Sequence, residues 1–295
     1  MLAKPAERTR TMRLRDGRAL AWSEWGAPDG LPVLFCTGAA MSGSLGFGWD
    51  AVRSLGLRLV AIDRPGLGSS DPHPAKTLLT WVDDIRELAG AQSWREAGAV
   101  GFSQGAPFAL ALAAQGVVRA AALVSGQDEL AHPSVSPLLN AEVAAMVRSA
   151  RDAAEVFERW FCGVASADGL RELIISMSAE RDRALYLSDG FREAFEQCMR
   201  EGFAQGPQGY ARDLANTLAP WPFEVECIAA PVDLWYGGLD SSTVHSPDYG
   251  ATLASRLPRA SRMVLPNEGG SILWTRAGEI LTRLKAEVRA ASDEL

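Results

Sequence analysis

Cysteine and histidine are scarce in this chain, and their scarcity excludes several classes of protein. Among 295 residues there are four cysteines and three histidines. The cysteines, at positions 36, 162, 198 and 227, show no paired spacing, so we expect reduced thiols and no disulfide framework. The histidines are separated in sequence and form no metal-ligand pattern with the cysteines. We therefore predict neither a metal nor another cofactor.

An excess of positive charge and long apolar runs are also missing. The formal net charge is −7, so there is no basic surface to match the phosphates of a nucleic acid. No apolar run reaches membrane-spanning length, and the first twelve residues lack the apolar centre of a secretion signal. We expect a cytoplasmic protein that binds neither nucleic acid nor membranes, with a homodimer as one option for its assembly.

The most informative stretch is Gly101-Phe102-Ser103-Gln104-Gly105. A strand pattern over 97–102 stops at Ser103, and an alanine-rich helical pattern over 106–115 follows. Gly-x-Ser-x-Gly between a strand and a helix is the pattern of a nucleophile elbow, whose sharp turn lifts the serine to the top of a sheet. The alternative is an ordinary turn with a capping serine. We interpret Ser103 as a nucleophile.

Strand and helix patterns alternate through the first 125 residues, which favours a mostly parallel sheet covered by helices. Strands are predicted over 8–14, 18–25, 32–36, 58–62, 97–102 and 120–125, and later over 232–236 and 263–265. A helix is predicted over 80–89 and a final one over 275–290. The run 63–71, fixed by one proline and two glycines, is interpreted as a rigid turn.

Between residues 127 and 221 the strand signal disappears. Helices are predicted over 140–161, 167–178, 190–203 and 209–218, with prolines at both ends of the segment. We therefore divide the chain into a first core segment 1–126, a helical cap 127–221 and a second core segment 222–295. The cap is expected to lie over the carboxyl edge of the sheet, above Ser103, with its apolar side chains forming the roof of a pocket.

Small residues form the loop 37–44 after the third strand, at the sheet edge where ligands bind in open α/β sheets. Such a loop can donate a backbone N–H to an oxyanion, and Ala39 is the best placed candidate.

Taken together, these motifs resemble the α/β-hydrolase superfamily, in the capped branch of proline iminopeptidase-like, haloperoxidase-like and epoxide-hydrolase-like proteins. The resemblance rests on the Gly38 loop, the run 63–71, the elbow and Gly237-Gly238-Leu239-Asp240, and it spans nearly the whole chain. It implies an eight-stranded sheet with a cap inserted after strand 6. It also implies Ser103 as nucleophile, Asp240 as the acid and the N–H groups of Ala39 and Gln104 as the oxyanion hole. A serine at the elbow, rather than an aspartate, indicates acyl transfer.

The sequence departs from the family pattern at two positions. The loop after the third strand reads Thr37-Gly38 where the family usually has His-Gly, which a backbone donor tolerates. More seriously, Gly270 occupies the place of the catalytic histidine, within Gly269-Gly270-Ser271. A serine hydroxyl needs a base at neutral pH, and a glycine cannot supply one.

Three explanations for Gly270 remain open at this point. First, another base substitutes: His245, five residues after Asp240, is the leading candidate, ahead of His132 and His73. Glu268 is also near but is expected to face solvent. Second, the protein has lost catalysis and kept the pocket. Third, the glycine is a sporadic or engineered substitution in a working hydrolase.

The sequence thus predicts a serine hydrolase-family protein that acts on a small, largely apolar ester or amide through an acyl-enzyme on Ser103. The alternative is an inactive protein of the same fold that binds a small apolar ligand under the cap. The residues expected to line the pocket are Met41, Phe102, His132, Trp160 and Val244. Esterases, peptidases, lactonases and perhydrolases share these motifs, so the substrate itself stays open.

Overall fold

The computed structural model of this chain describes residues 3–293. The strands are β1 Arg8–Arg13, β2 Ala19–Gly26, β3 Leu31–Cys36, β4 Leu57–Ile62, β5 Gly98–Phe102, β6 Ala120–Val124, β7 Val232–Gly237 and β8 Ala260–Leu265. They form one sheet in the order β1-β2-β4-β3-β5-β6-β7-β8. The strand β2 pairs antiparallel with β1 and β4, and every later neighbouring pair is parallel. The predicted eight-stranded, mostly parallel sheet is confirmed.

Twelve α-helices accompany the sheet within residues 3–293. Those of the core are α1 Trp49–Ser54, α2 Leu78–Ala91, α3 Gly105–Ala114, α10 Ala251–Arg256, α11 Ile272–Thr275 and α12 Ala277–Asp293. Those between β6 and β7 are α4 Ala141–Asp152, α5 Ala154–Cys162, α6 Ala167–Met177, α7 Glu180–Tyr186, α8 Phe191–Gly202 and α9 Gln208–Leu218. We call the segment that contains α4 to α9 the cap.

The central strands are apolar on both faces because helices cover both sides of the sheet. Every residue of β5 and β6 is buried. In β3, Val33 and Phe35 pack on the side that α1 and α12 cover, while Leu34 and Cys36 pack on the side of α2 and α3. This alternation follows from the pleat, which turns successive side chains to opposite faces. The sheet is therefore a rigid platform whose carboxyl edge carries the functional loops.

The cap is fastened to the loop after β3, residues 37–44, which we call the oxyanion loop. The Ser42 N–H donates to the Cys198 carbonyl of α8 over 3.1 Å, and Ser42 Oγ donates to Glu201 Oε2 over 2.7 Å. A Cβ atom on Gly202 would lie 1.7 Å from the Ala40 carbonyl oxygen, so only glycine allows α8 to approach this closely. The cap thus lies directly on one wall of the serine site.

Several boundaries differ from the sequence-based prediction. The single helix predicted over 140–161 is two helices, because the backbone of Ala153 leaves the helical region at φ −153° and ψ 58°. The helix α7 was not predicted at all, and β8 begins at Ala260 rather than at residue 263. The final helix is interrupted before Ala277, which separates the short α11 from α12. Within residues 3–293, no helix combines the length and the apolar character needed to span a membrane.

Candidate active site

Ser103 lies in the sharp turn that its flanking glycines predict. Its φ is +51°, a left-handed conformation that is uncommon for a residue with a side chain. A Cβ on Gly101 would lie 2.7 Å from the Cα of Ala106, and one on Gly105 would lie 2.0 Å from the Cys36 carbonyl oxygen. Strand and helix are therefore too close for any side chain at either position. The sequence folds here into a strained turn that presents the serine hydroxyl at the sheet edge.

The side chains of Ser103, His245 and Asp240 form one hydrogen-bonded series. Ser103 Oγ lies 2.9 Å from Nε2 of His245, and His245 Nδ1 lies 2.7 Å from Asp240 Oδ2. An ionised carboxylate can only accept, so Nδ1 carries the proton toward Asp240 and Nε2 of the neutral ring is left to accept from the serine hydroxyl. The side chains of His245 and Asp240 are 11% and 6% exposed. The arrangement has the geometry of a nucleophile, a base and an orienting acid.

His245 and Asp240 belong to the same loop, residues 238–246, which follows β7. Asp240 stands three residues beyond the end of β7. Its Oδ1 accepts from the Ser242 N–H over 3.0 Å, which leaves Oδ2 for the histidine. The chain then returns to the sheet edge so that the imidazole at 245 reaches Ser103, 142 positions away in sequence. One loop therefore supplies both the candidate acid and the candidate base.

Gly270 lies on the other side of the Asp240 carboxylate, in the loop after β8, residues 266–271. This loop is bound to the cap: the N–H groups of Gly270 and Ser271 each donate to the Asp182 carboxylate of α7 over 2.9 Å. The Ser271 hydroxyl adds a third bond of 2.6 Å to the same carboxylate. The segment that carries the histidine in the family pattern here holds the cap.

The prediction that Glu268 faces solvent is wrong. Its side chain is 3% exposed and forms ion pairs with Arg276 at 2.9 Å and with Arg181 at 3.2 Å. It also accepts a hydrogen bond from the Thr275 hydroxyl. These contacts hold the buried Glu268 carboxylate between the end of α11 and helix α7.

The two remaining histidines have local partners elsewhere. His132 Nδ1 accepts from the Ser134 N–H over 3.2 Å, and His73 Nδ1 accepts from the Ala75 N–H over 3.1 Å. His73 also lines a cavity of about 490 Å³ between the turn after β4 and helices α5 and α9. Neither histidine is joined to Ser103 by the hydrogen bonds that bring His245 to it.

The candidate oxyanion donors, Gln104 and Ala39, lie at the start of α3 and in the oxyanion loop. Gln104 is the N-cap residue of α3, so its backbone N–H is among those that the helix itself leaves free.

Ala39 lies in the oxyanion loop, whose backbone is held by Arg64. The Arg64 guanidinium donates to the carbonyl oxygens of Thr37 at 2.6 Å and Gly38 at 3.0 Å. Thr37, in the place of the usual histidine, donates its hydroxyl to the Met41 carbonyl over 2.7 Å.

Sequence reasoning missed the charged cluster around Arg64. The side chains of Arg64, Asp213 and Lys76 are fully or almost fully buried, and Asp213 lies 2.8 Å from Arg64 Nε and 2.6 Å from Lys76 Nζ. Burial lowers the pKa of Lys76, against the opposing effect of the Asp213 charge. Asp213 belongs to α9, so this cluster joins the cap to the turn after β4 and to the oxyanion loop. Isolated charged residues in the sequence do not indicate that they will form such a buried contact.

The residues expected to line the pocket lie in different surroundings. Met41 and Phe102 flank Gly38, since a Cβ there would lie 3.0 Å from Met41 Sδ and 3.1 Å from a Phe102 ring carbon. Val244 packs against the apolar cluster at the base of the cap. Trp160, by contrast, is 54% exposed, and its ring contacts are with Phe157 and Phe161 of α5.

Residues 32–277 of the chain match the family model described as the alpha/beta hydrolase fold. The chain therefore belongs to the α/β-hydrolase family.

Individual relatives are more distant. The chain is 35% identical over 100 residues to a non-heme chloroperoxidase of Streptomyces lividans, which covers 32% of this chain and 35% of that protein. It is 33% identical over 129 residues to a proline iminopeptidase of Neisseria gonorrhoeae, covering 40% of this chain and 39% of the relative. The matches thus span less than half of the length of these curated relatives.

Solved structures show the same fold over nearly the full length. A thermophilic esterase from Thermogutta terrifontis superposes with a TM-score of 0.68, at 19% identity, over 96% of this chain and 99% of that one. At this identity the likeness concerns the fold alone.

Proposed function

We propose that this chain is a serine hydrolase that cleaves a small, largely apolar ester or amide through an acyl-enzyme on Ser103. In this proposal His245 is the general base and Asp240 orients it, so the role usually given to the histidine after β8 has moved to the loop after β7. The observation that carries the proposal is the pair of hydrogen bonds of His245, 2.9 Å to Ser103 Oγ and 2.7 Å to Asp240.

In the first half-reaction, Ser103 Oγ attacks the carbonyl carbon of the substrate while its proton passes to His245 Nε2. The carbonyl oxygen takes up negative charge and accepts hydrogen bonds from the backbone N–H groups of Ala39 and Gln104. The imidazolium then gives the proton to the leaving alcohol or amine as the carbon–oxygen or carbon–nitrogen bond breaks. Asp240 stabilises the imidazolium through its bond to Nδ1 without taking the proton.

The second half-reaction returns the enzyme to its starting state. Water loses a proton to His245 and attacks the acyl carbon, and the proton then returns to Ser103 Oγ as the acid product leaves. No redox partner or metal is needed for either step. Hydrolysis of esters also agrees with the presence of an esterase among proteins of the same fold.

The expected preference for small apolar substrates follows from the side chains around the serine. Met41 and Phe102 lie next to Gly38 of the oxyanion loop, and Val244 precedes the proposed base in the sequence. The cap helix α8 lies directly against the oxyanion loop. These surroundings favour a short or compact acyl group over a long polar one.

Hydrolysis of p-nitrophenyl esters of increasing acyl length tests the proposal, with Ser103→Ala and Asp240→Asn beside the parent chain. We expect turnover of short-chain esters that disappears with Ser103→Ala, together with labelling of the Ser103 peptide by a fluorophosphonate. A folded parent chain that neither turns over any ester nor takes up the fluorophosphonate would instead favour a protein that binds its ligand without catalysis.

A further inference from the structure

The loop that carries His245 is exposed at its middle, where the Ser241 hydroxyl donates to the Met177 carbonyl of the cap, and is buried directly after the histidine. Ser241 and Thr243 are exposed, whereas Ser246, directly after the histidine, is 5% exposed. A histidine used as a base must be held at a fixed distance from the nucleophile, because misplacement by about 1 Å can cost about 100-fold in rate. Ser246 is therefore the natural place to look for what fixes the imidazole.

Ser246 is bonded through both its backbone and its hydroxyl. Its N–H donates to the Gly126 carbonyl over 3.0 Å. Its Oγ accepts from the Gly250 N–H over 2.8 Å and lies 2.9 Å from Asp128 Oδ2 and 3.0 Å from Asp248 Oδ1. The Ser246 hydroxyl has a single proton to donate. Asp248 already accepts hydrogen bonds from the first N–H groups of α10. We therefore assign the Ser246 proton to Asp128.

Asp128 is suited to act as a fixed anchor. Its side chain is fully buried, and Oδ1 accepts from the Glu129 N–H over 2.7 Å. Burial is the main cause that raises its pKa to about 6, with the Asp248 charge acting in the same direction and Arg256 against it. A buried carboxylate retains few alternative partners, so the bond from Ser246 fixes both groups.

The same short segment also holds the nucleophile. We call residues 125–128, which follow β6, the template loop. The Gln127 N–H donates to the Ser103 carbonyl over 3.0 Å, and the Ser103 N–H donates to the Val124 carbonyl just before the loop, also over 3.0 Å. The Tyr236 hydroxyl donates to Gly126 over 3.1 Å and ties the loop to β7. One loop is thus hydrogen-bonded to the nucleophile on one side and to the neighbour of the histidine on the other.

We propose that Asp128 and Ser246 are positioning residues that set the distance between His245 Nε2 and Ser103 Oγ through the template loop. This inference rests on the proposed function, since it concerns the base that the hydrolase mechanism assigns to His245. The loop after β7 that carries the base is supported by the contact between Ser246 and Asp128.

Nuclear magnetic resonance of the histidine side chains tests the support directly. The chain has three histidines, so isotope-labelled histidine gives three sets of signals, and His245→Gln identifies the one of interest. A proton shared between His245 Nδ1 and the Asp240 carboxylate gives a signal far downfield of the others, with or without substrate. We expect that signal to broaden or vanish in Ser246→Ala and Asp128→Asn, and to persist in the control Ser255→Ala, an exposed serine of α10.

Kinetics separate positioning from mere structural support. With the ester best used by the parent chain, kcat should fall about 10- to 100-fold in Ser246→Ala and in Asp128→Asn, with KM nearly unchanged. The double variant should lose little more than either single one, because both remove the same contact. If Asp128→Asn does not fold, Ser246→Ala alone still decides the question.

Two outcomes would overturn the inference. One is a folded Ser246→Ala chain whose His245 signal matches that of the parent chain; the other is an additive loss of kcat in the double variant. If the parent chain has no activity that depends on Ser103, the proposed function fails. The His245 signal then still shows whether Ser246 holds the imidazole.

Discussion

A Cβ atom built on Gly270 would lie 2.9 Å from Oδ1 of Asp240. The carboxylate therefore occupies the space that any side chain at position 270 needs, and it is turned toward His245, to which it is bonded over 2.7 Å. The glycine at 270 and the histidine at 245 are thus linked, because both contact the Asp240 carboxylate or the space beside it. A side chain at position 270 would therefore require the Asp240 carboxylate, which is bonded to His245, to shift.

We expect side chains at position 270 to damage the site rather than restore it. In Gly270→Ala and Gly270→His the Asp240 carboxylate must shift, which weakens its bond to His245, so kcat for an ester should fall about 10-fold or more. Gly278→Ala is the matched control, because a Cβ there meets nothing within 4 Å. A gain of activity in Gly270→His would mean that the usual position serves better, and would speak against His245 as the base.

Asp182 should contribute strongly to stability because it holds the loop after β8. Replacing it with alanine leaves the buried N–H groups of Gly270 and Ser271 without their acceptor. Each unsatisfied buried donor costs about 1–3 kcal/mol, so the free energy of unfolding should fall by about 2–5 kcal/mol in urea titrations. Asp189→Ala, at an exposed position after α7, should change it little. Equal stabilities of the two variants would contradict this role.

The buried cluster around Arg64 gives a third expectation. Removing Asp213 leaves Arg64 and Lys76 buried without their carboxylate, and breaking one partner of a buried ion pair costs about 3–5 kcal/mol. We expect Asp213→Ala to unfold at clearly lower denaturant concentration than the parent. The variant Asp152→Ala, which removes an exposed ion pair with Arg151, is the control. A loss below about 1 kcal/mol, as for exposed pairs, would show that the cluster is not important for stability.

The pH dependence of stability can be traced to Asp63. Burial raises the pKa of this carboxyl from 3.8 to about 6, although the N–H groups of Gly43 and Ser69 donate to it. Since the folded chain holds the proton more tightly than the unfolded chain, this stabilisation is complete below about pH 4 and is lost as the pH rises through 6. The difference in unfolding free energy between the parent and Asp63→Asn should therefore fall by up to about 3 kcal/mol between pH 4 and pH 7.

Denaturant titrations at several pH values measure this difference, and the exposed Asp29→Asn variant shows the background. A difference between the parent and Asp63→Asn that does not change with pH would show that Asp63 has an ordinary pKa in the folded chain.

The parts of this molecule that follow local rules could be predicted from the sequence. The elbow at Ser103 depends on residues within two positions of it, and strand periodicity places β3 to β7 closely. The sequence also restricted the candidates for the base to three histidines. It ranked His245 first but could not show that His245 reaches Ser103, because the path of the irregular loop between Asp240 and His245 depends on contacts with the distant template loop.

Long-range polar contacts account for most of what sequence reasoning missed. Arg64 and Asp213 are bonded across 149 sequence positions, and Asp182 reaches Gly270 across 88. From the sequence alone, isolated charged residues of this kind are predicted to be solvent-exposed, because their partners lie far away along the chain. The wrong expectation for Glu268 has this cause only in part: Arg181 of α7 reaches it across 87 positions, whereas its partners Thr275 and Arg276 are seven and eight positions away.

The role of His245 is tested most directly by the rate at which a fluorophosphonate labels Ser103 in the parent chain and in His245→Ala, with His132→Ala as the matched histidine control. The reaction reports on activation of the serine without any knowledge of the natural substrate. We expect labelling of His245→Ala to be slower by at least about 10³-fold and His132→Ala to react like the parent. Equal labelling rates in His245→Ala and the parent would show that His245 does not activate Ser103.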